Sequence, residues 1–256
     1  MVFDPKKYKA PKAKKLPVIL LLDVSGSMAG EKIDNLYDAV NEMIDTFVDL
    51  ELKETIIDIA IITFGYEINL HTPYTPVKKL QGNLGRFDAN GWTPLGTALT
   101  MAKDMIEDKD TTPSNVYRPV VVLVSDGQPN DEWRQPLDNF INDGRSKKCQ
   151  RFAVAIGNDA DRSVLEKFTE NGAFVFFAQN AKDIADQFKK VTMSISQRAT
   201  SVNPNQIAKN DPFTPNEYSI ETKTTTKQNS SLPSQKVNTP IEDEDEDEDD
   251  DDEDFD

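Results

Sequence analysis

Five oxygen-bearing side chains carry the chemistry this chain could do: Asp23, Ser25 and Ser27 in LLLDVSGSMAG, Thr93 in GWTPLG, and Asp126 in VVVLVSDG. Two carboxylates and three hydroxyls are hard donors of the type that Mg²⁺ takes, with Mn²⁺ and Ca²⁺ as the other candidates. No imidazole or thiolate lies near them in sequence to draw zinc. Two carboxylates only neutralise a divalent ion and hydroxyls add no charge, so the metal keeps Lewis acidity for one further ligand. Each residue also has a plainer use. Asp23 could be a cap or turn residue, Ser25 or Ser27 could cap a following helix, and Asp126 in SDGQP could form a turn.

Two other readings of LLLDVSGSMAG compete. Lys12, Lys14 and Lys15 before LPVILLL, followed by SGSMA, have the order of a signal peptide and its cleavage site, but the apolar run 16–22 is at the short limit and meets Asp23 at once. An aspartate after a buried first strand also suits a haloacid-dehalogenase-like phosphatase. That chemistry needs D-x-D, and the second position here is Ser25, which cannot serve as the general acid. The lone histidine, His71, falls on an expected solvent-exposed edge strand and leaves a Ser/His/Asp arrangement without a candidate. No G-x-x-x-x-G-K phosphate loop occurs. A metal-bound water is the one catalytic route left open, and the expectation is that the chain is not an enzyme.

The elements that must position these residues follow from periodicity. PVILLLD is a continuous apolar run, the pattern of a strand buried on both faces of a parallel sheet. Over 31–50 the apolar residues Ile33, Leu36, Tyr37, Val40, Met43, Ile44, Phe47 and Val48 recur at helical steps. IIDIAIITF is a second strand, with YEINLHTPY returning beside it as an antiparallel edge. After the Gly-rich loop GNLGRFDANGWTPLG come a helix through Leu99, Met101, Ala102, Met105 and Ile106 and the strand VVVLVSDG. A helix near 132–141, the strand FAVAIG, a helix over 161–169, the strand AFVFF and a helix from Lys182 to about Gln197 complete the series. The alternation predicts an α/β fold with a doubly wound, mainly parallel sheet, one antiparallel edge strand and helices on both faces. Ligands of such sheets bind beyond the carboxyl ends of the strands, where Asp23, Ser25, Ser27 and Asp126 fall.

D-V-S-G-S, the Thr of GWTPLG and the Asp of VSDG together resemble the von Willebrand factor A (VWA) domain and its metal-ion-dependent adhesion site, over roughly 16–197. LPVILLLDVSGSM, SDGQPND and GWTPLGTAL are most similar to the bacterial tellurite-resistance (TerY-type) members. The resemblance implies a Mg²⁺ held directly by Ser25 and Ser27, with Thr93 direct or through water and Asp23 and Asp126 largely through water. It also implies a protein partner that supplies an Asp or Glu carboxylate, in a stress-response or defence setting. A VWA accessory subunit of an AAA-type ATPase, a secreted adhesin and a metal-dependent hydrolase are the alternatives. Trp92 and Met28, beside the loops, could rim the binding face or pack in the core.

Composition sets the remaining expectations. The net charge of -16 is concentrated at one end, because residues 242–256 carry 14 of the 45 acidic groups, leaving a body close to neutral. Such a body has no basic footprint for nucleic acid. The expected organisation is a basic arm over 1–15 (Lys6, Lys7, Lys9, Lys12, Lys14, Lys15), the α/β domain over 16–198, a disordered Ser/Thr/Asn/Pro linker over 199–241 and an acidic tail over 242–256. The tail can be a solvated appendage, or offer carboxylates to a basic partner, to the lysine arm or to the protein's own metal. Cys149, the single cysteine, excludes an internal disulfide and reads as an inert thiol. With no apolar run near the roughly 20 residues of a membrane span, the expected location is cytoplasmic, without a membrane partner.

Overall fold

The computed structural model describes residues 13–50, 52 and 54–207. By internal contacts the chain divides into Met1–Asn216 and Glu217–Asp256, and the second unit lies wholly outside the described residues.

Strand β1 (Lys14–Asp23) is central because its side chains are apolar on both faces. Leu16, Val18, Leu20 and Leu22 enter one core layer, Ile19 and Leu21 the other, and all are fully buried. β2 (Thr55–Phe64) and β4 (Val120–Ser125) flank β1 in parallel. β5 (Gln150–Ile156) and β6 (Val175–Ala178) extend the sheet beyond β4, again in parallel. β3 (Ile68–Pro76) pairs antiparallel with β2 at the other edge, giving the order β3-β2-β1-β4-β5-β6. An edge position tolerates the partial exposure of β3 and the missing N–H of its prolines.

Helices α1 (Glu31–Asp49), α2 (Val77–Leu80) and α6 (Ile184–Thr200) cover one face. On α1 the buried stripe is Ile33, Leu36, Val40, Met43, Ile44 and Phe47, which is the helical spacing read from the sequence. Helices α3 (Leu95–Glu107), α4 (Arg134–Asn142) and α5 (Arg162–Thr169) cover the other face. The expected doubly wound α/β sheet with one antiparallel edge is what forms. From β1 the chain winds through α1 to β2 on one side, and from β4 through α4 to β5 on the other. The carboxyl ends of β1 and β4 therefore bound the crevice at which the winding reverses.

Four local features differ from the sequence reading. Lys14 and Lys15, assigned to the arm, belong to β1: Lys14 Nζ stands 4.6 Å from the centre of the Tyr117 ring and Lys15 Nζ 2.6 Å from Asp58 Oδ2. AFVFF begins its strand only at Val175, because Gly172–Phe174 winds into a 3₁₀ turn with the Asn171 side chain accepting from Ala173 N. The last helix continues to Thr200. Buried Arg198 holds that end, donating to Pro204 O at 2.6 Å and to Gln150 Oε1 at 3.0 Å, and so fastens the residues after the helix to β5. His71 is half-buried, its ring edge-on to Phe87 at 5.1 Å, rather than solvent-exposed. The arm through residue 12, the linker from 208 and the acidic tail lie outside the described residues. Among the described residues no helix is long and apolar enough to cross a membrane.

Candidate metal centre

Three loops meet beyond β1 and are tied by backbone hydrogen bonds. Val24 donates to Phe64 O at 2.8 Å, Asn90 to Val24 O at 2.8 Å, Tyr66 to Asn90 O at 3.1 Å, and Gly26 to Gly91 O at 3.1 Å. Gly91 has φ +77°, and a Cβ there would lie 2.4 Å from the backbone of Tyr66. Only glycine lets the Thr93 loop approach so closely in that conformation.

The far end of the same loop is fastened to the loop after β4. Thr93 N donates to Asn130 Oδ1 at 3.2 Å, and Asn130 N to Thr93 O at 3.2 Å. Asp131 accepts from the first turn of α3, from Gly96 N at 3.0 Å and Thr97 N at 2.9 Å, so the helix receives its cap from a distant loop.

On this frame Asp23, Ser25, Ser27 and Asp126 form one hydrogen-bonded cluster. Asp23 Oδ1 accepts from Ser25 N at 2.9 Å, and the Ser25 and Ser27 hydroxyls are 3.0 Å apart. Ser27 Oγ donates to Asp126 Oδ1 at 2.8 Å. Thr93 lies alongside: its hydroxyl is 3.6 Å from where a Cβ on Gly127, next to Asp126, would stand. Asp23, Ser25, Thr93 and Asp126 are buried, whereas Ser27 is exposed. All five residues singled out in the sequence thus reach the crevice. Neither serine caps α1, whose N-cap is Gly30 without a side-chain bond, so the plainer capping use does not apply.

Three participants were not singled out. Ser125 Oγ donates to Asp23 Oδ2 at 2.7 Å, Asn130 fixes Thr93, and Lys32 Nζ lies 2.5 Å from Asp126 Oδ2. Ser125 reads as an ordinary strand residue before a turn, and Lys32 as part of a solvated helix face. Of the two rim candidates, Trp92 is 70% exposed, as is Tyr66 at 75%, while Met28 is fully buried in the core.

The electrostatics fit a cation. Burial raises the Asp23 carboxyl to about 6, the bonds from Ser25 and Ser125 pull it down, and the neighbouring Asp126 charge adds to the rise. A buried carboxylate so destabilised, beside a second one that already draws an ammonium, is an arrangement that positive charge relieves. The donors are oxygens throughout, and among the described residues no cluster of three His, Cys, Asp or Glu competes as a metal site. The residues present therefore fit a hard divalent ion.

Comparison with known families matches residues 18–190 to the von Willebrand factor type A domain, more than half of the chain. The chain belongs to the von Willebrand factor type A domain family. Human inter-alpha-trypsin inhibitor heavy chain H6 is 26% identical over 194 residues, covering 70% of this chain and 14% of that protein. Human heavy chain H4 is 24% identical over 184 residues, 67% of this chain and 19% of that protein. The VWA chain thus spans less than a fifth of these relatives, and they lend no support to a particular closeness to tellurite-resistance proteins. Among solved structures, the von Willebrand factor domain of the type V pili tip protein Mfa5 from Porphyromonas gingivalis superposes with a TM-score of 0.57 at 10% identity, covering 77% of this chain and 99% of that one. Proximal thread matrix protein 1 from the mussel byssus, solved with a zinc-occupied metal-ion-dependent adhesion motif, gives 0.59 at 16% identity, covering 71% and 48%. At these identities the shared property is the fold.

Proposed function

We propose that this VWA domain is a Mg²⁺-dependent protein-binding module, with Ser25, Ser27, Thr93, Asp23 and Asp126 holding the ion. The hydrogen-bonded cluster of Asp23, Ser25, Ser27 and Asp126 at the reversal of the sheet carries this reading. VWA domains are protein-interaction and adhesion modules, and the metal would supply a Lewis-acidic position for a partner's Asp or Glu carboxylate. The chain's own residues do the rest. Ser125 and the Ser25 backbone orient Asp23, Asn130 places Thr93, and exposed Trp92 and Tyr66 offer aromatic area beside the site, the kind of surface that dominates binding energy at interfaces. Binding is preferred over catalysis because the hydrogen-bonded cluster contains no histidine, and His71 stands on the edge strand β3 with Nδ1 2.9 Å from Thr72 Oγ1.

A cytoplasmic setting belongs to the proposal, and its support is the cysteine count: with Cys149 alone the chain makes no internal disulfide. The stress or defence role rests on the tellurite-type segments alone, and an ATPase accessory role would need the same metal-dependent surface. The second reading, an extracellular adhesion module, takes its support from two proteins of the same fold, a pili tip protein and a matrix protein of the mussel byssus.

Calorimetric titration of Mg²⁺ tests the metal centre with wild type against Asp23→Ala and Ser25→Ala. One saturable site is expected, weakened by about tenfold or more in both variants, the scale on which ligand-shell losses act. Absence of a saturable site in wild type overturns the reading. Capture of partners with and without EDTA then tests whether recognition runs through the ion.

A further inference from the structure

We propose that Lys32 is a resident counter-cation of the metal centre, which a divalent ion must displace or outcompete, so that this one side chain sets how tightly the centre holds metal. The inference rests on the metal-centre reading above and concerns the regulation of that site. Three observations carry it.

The first is geometry. Asp126 Oδ1 receives the Ser27 hydroxyl, and Lys32 Nζ takes the other oxygen at 2.5 Å. The ammonium therefore sits on the cluster itself, at the carboxylate oxygen that the serines leave open. The second is burial. The Asp126 side chain is fully buried and that of Lys32 only 31% exposed, so solvent screens the pair weakly and a nearby divalent ion would feel the ammonium's charge.

The third is where the lysine stands. Lys32 is the second residue of α1, and the N-terminal end of a helix disfavours a cation. Glu31 and Asp34 in the same turn conform to that preference and Lys32 does not. An acidic group outside the helix offsets the mismatch, and that group is Asp126. Without metal, the ammonium compensates one of the two buried carboxylates. With metal, it is a like charge beside the ion, whether Asp126 meets the ion directly or through water.

Lys32→Gln removes the charge and keeps a polar side chain of similar reach, while Lys32→Arg keeps the charge. Mg²⁺ titration of the full chain would compare both with wild type, using Asp23→Ala as the background that contains only binding outside the centre. Thermal midpoints in EDTA form the second readout. Lys32→Gln should bind Mg²⁺ about tenfold more tightly than wild type, equivalent to ~1.4 kcal/mol, while its metal-free midpoint falls. Lys32→Arg should stay within about twofold of wild type. A merely structural lysine would move both readouts toward loss. Lys32→Gln affinity equal to or weaker than wild type overturns the inference and leaves the metal centre standing. If neither wild type nor Lys32→Gln binds above the Asp23→Ala background, the metal-centre reading falls and the inference with it.

Discussion

Asp23 is the residue on which the site's energetics turn, because its carboxyl is raised to about 6 mainly by burial. An unfolded aspartate titrates near 3.9, so folding favours the neutral form. The stabilising contribution is then fully present below about pH 4 and lost as pH rises through about 6. At neutral pH the metal-free protein carries an ionised Asp23 at a cost of about 2–3 kcal/mol, which Asp23→Asn would remove. In EDTA, the urea midpoint of Asp23→Asn should match wild type near pH 4 and exceed it increasingly toward pH 7. Saturating Mg²⁺ should reverse the order at pH 7, and the metal-induced shift of wild type should shrink below pH 6 as the carboxylate is protonated. A constant gap from pH 4 to 7 would show that Asp23 is not the strained group. The places of Asp23, Ser25, Ser27 and Asp126 at strand ends and of Thr93 in the loop before α3 were legible in the sequence, because residue types and periodicity are local facts. Lys32, Ser125 and Asn130 were not, since each acts through a partner some 37 to 102 positions away.

At the scale of elements, the site depends on two loops held by a third. The loop after β4 contributes Asp126 and then fastens the start of α3 through Asp131, whose carboxylate also accepts from Thr97 Oγ1 at 3.1 Å. Asp131→Ala leaves two amide donors at the helix start without their acceptor and should destabilise the domain by about 1–2 kcal/mol, as lost caps do. Mg²⁺ affinity should fall with it, because Thr93 stands two residues before α3. Denaturant unfolding and metal titration measured together check this, and a stability loss with unchanged metal affinity would show that Thr93 is held independently. Long strands such as PVILLLD and the helical stripe of α1 were readable because burial on two faces or one leaves a periodic signature. VKKL, four residues of helix, is too short to show a period, and AFVFF loses its first two residues from the strand to the turn that Asn171 starts. SDGQPND reads as turn chemistry, so its role in capping a helix 35 positions away was hidden.

For the whole molecule, the decisive feature is the separation of charge between a nearly neutral domain and an acidic run at residues 242–256. A metal centre that takes a partner's carboxylate cannot distinguish that carboxylate chemically from the chain's own 14. Residues 208–241, the Ser/Thr/Asn/Pro-rich connection between the described residues and that run, tether the one covalently to the other. Tethering then gives it an effective concentration of roughly millimolar order, and in this proposal it competes with outside ligands. A chain ending at residue 241 should bind a short Asp/Glu peptide severalfold more tightly than the full chain in dilute salt and saturating Mg²⁺. The advantage should fade near 1 M salt, where the Debye length is about 3 Å. Fluorescence anisotropy of the labelled peptide at both ionic strengths measures it. Equal affinities in dilute salt would make the acidic run a solvated appendage with respect to this site, whereas a loss on truncation would show that the run helps to recruit the ligand.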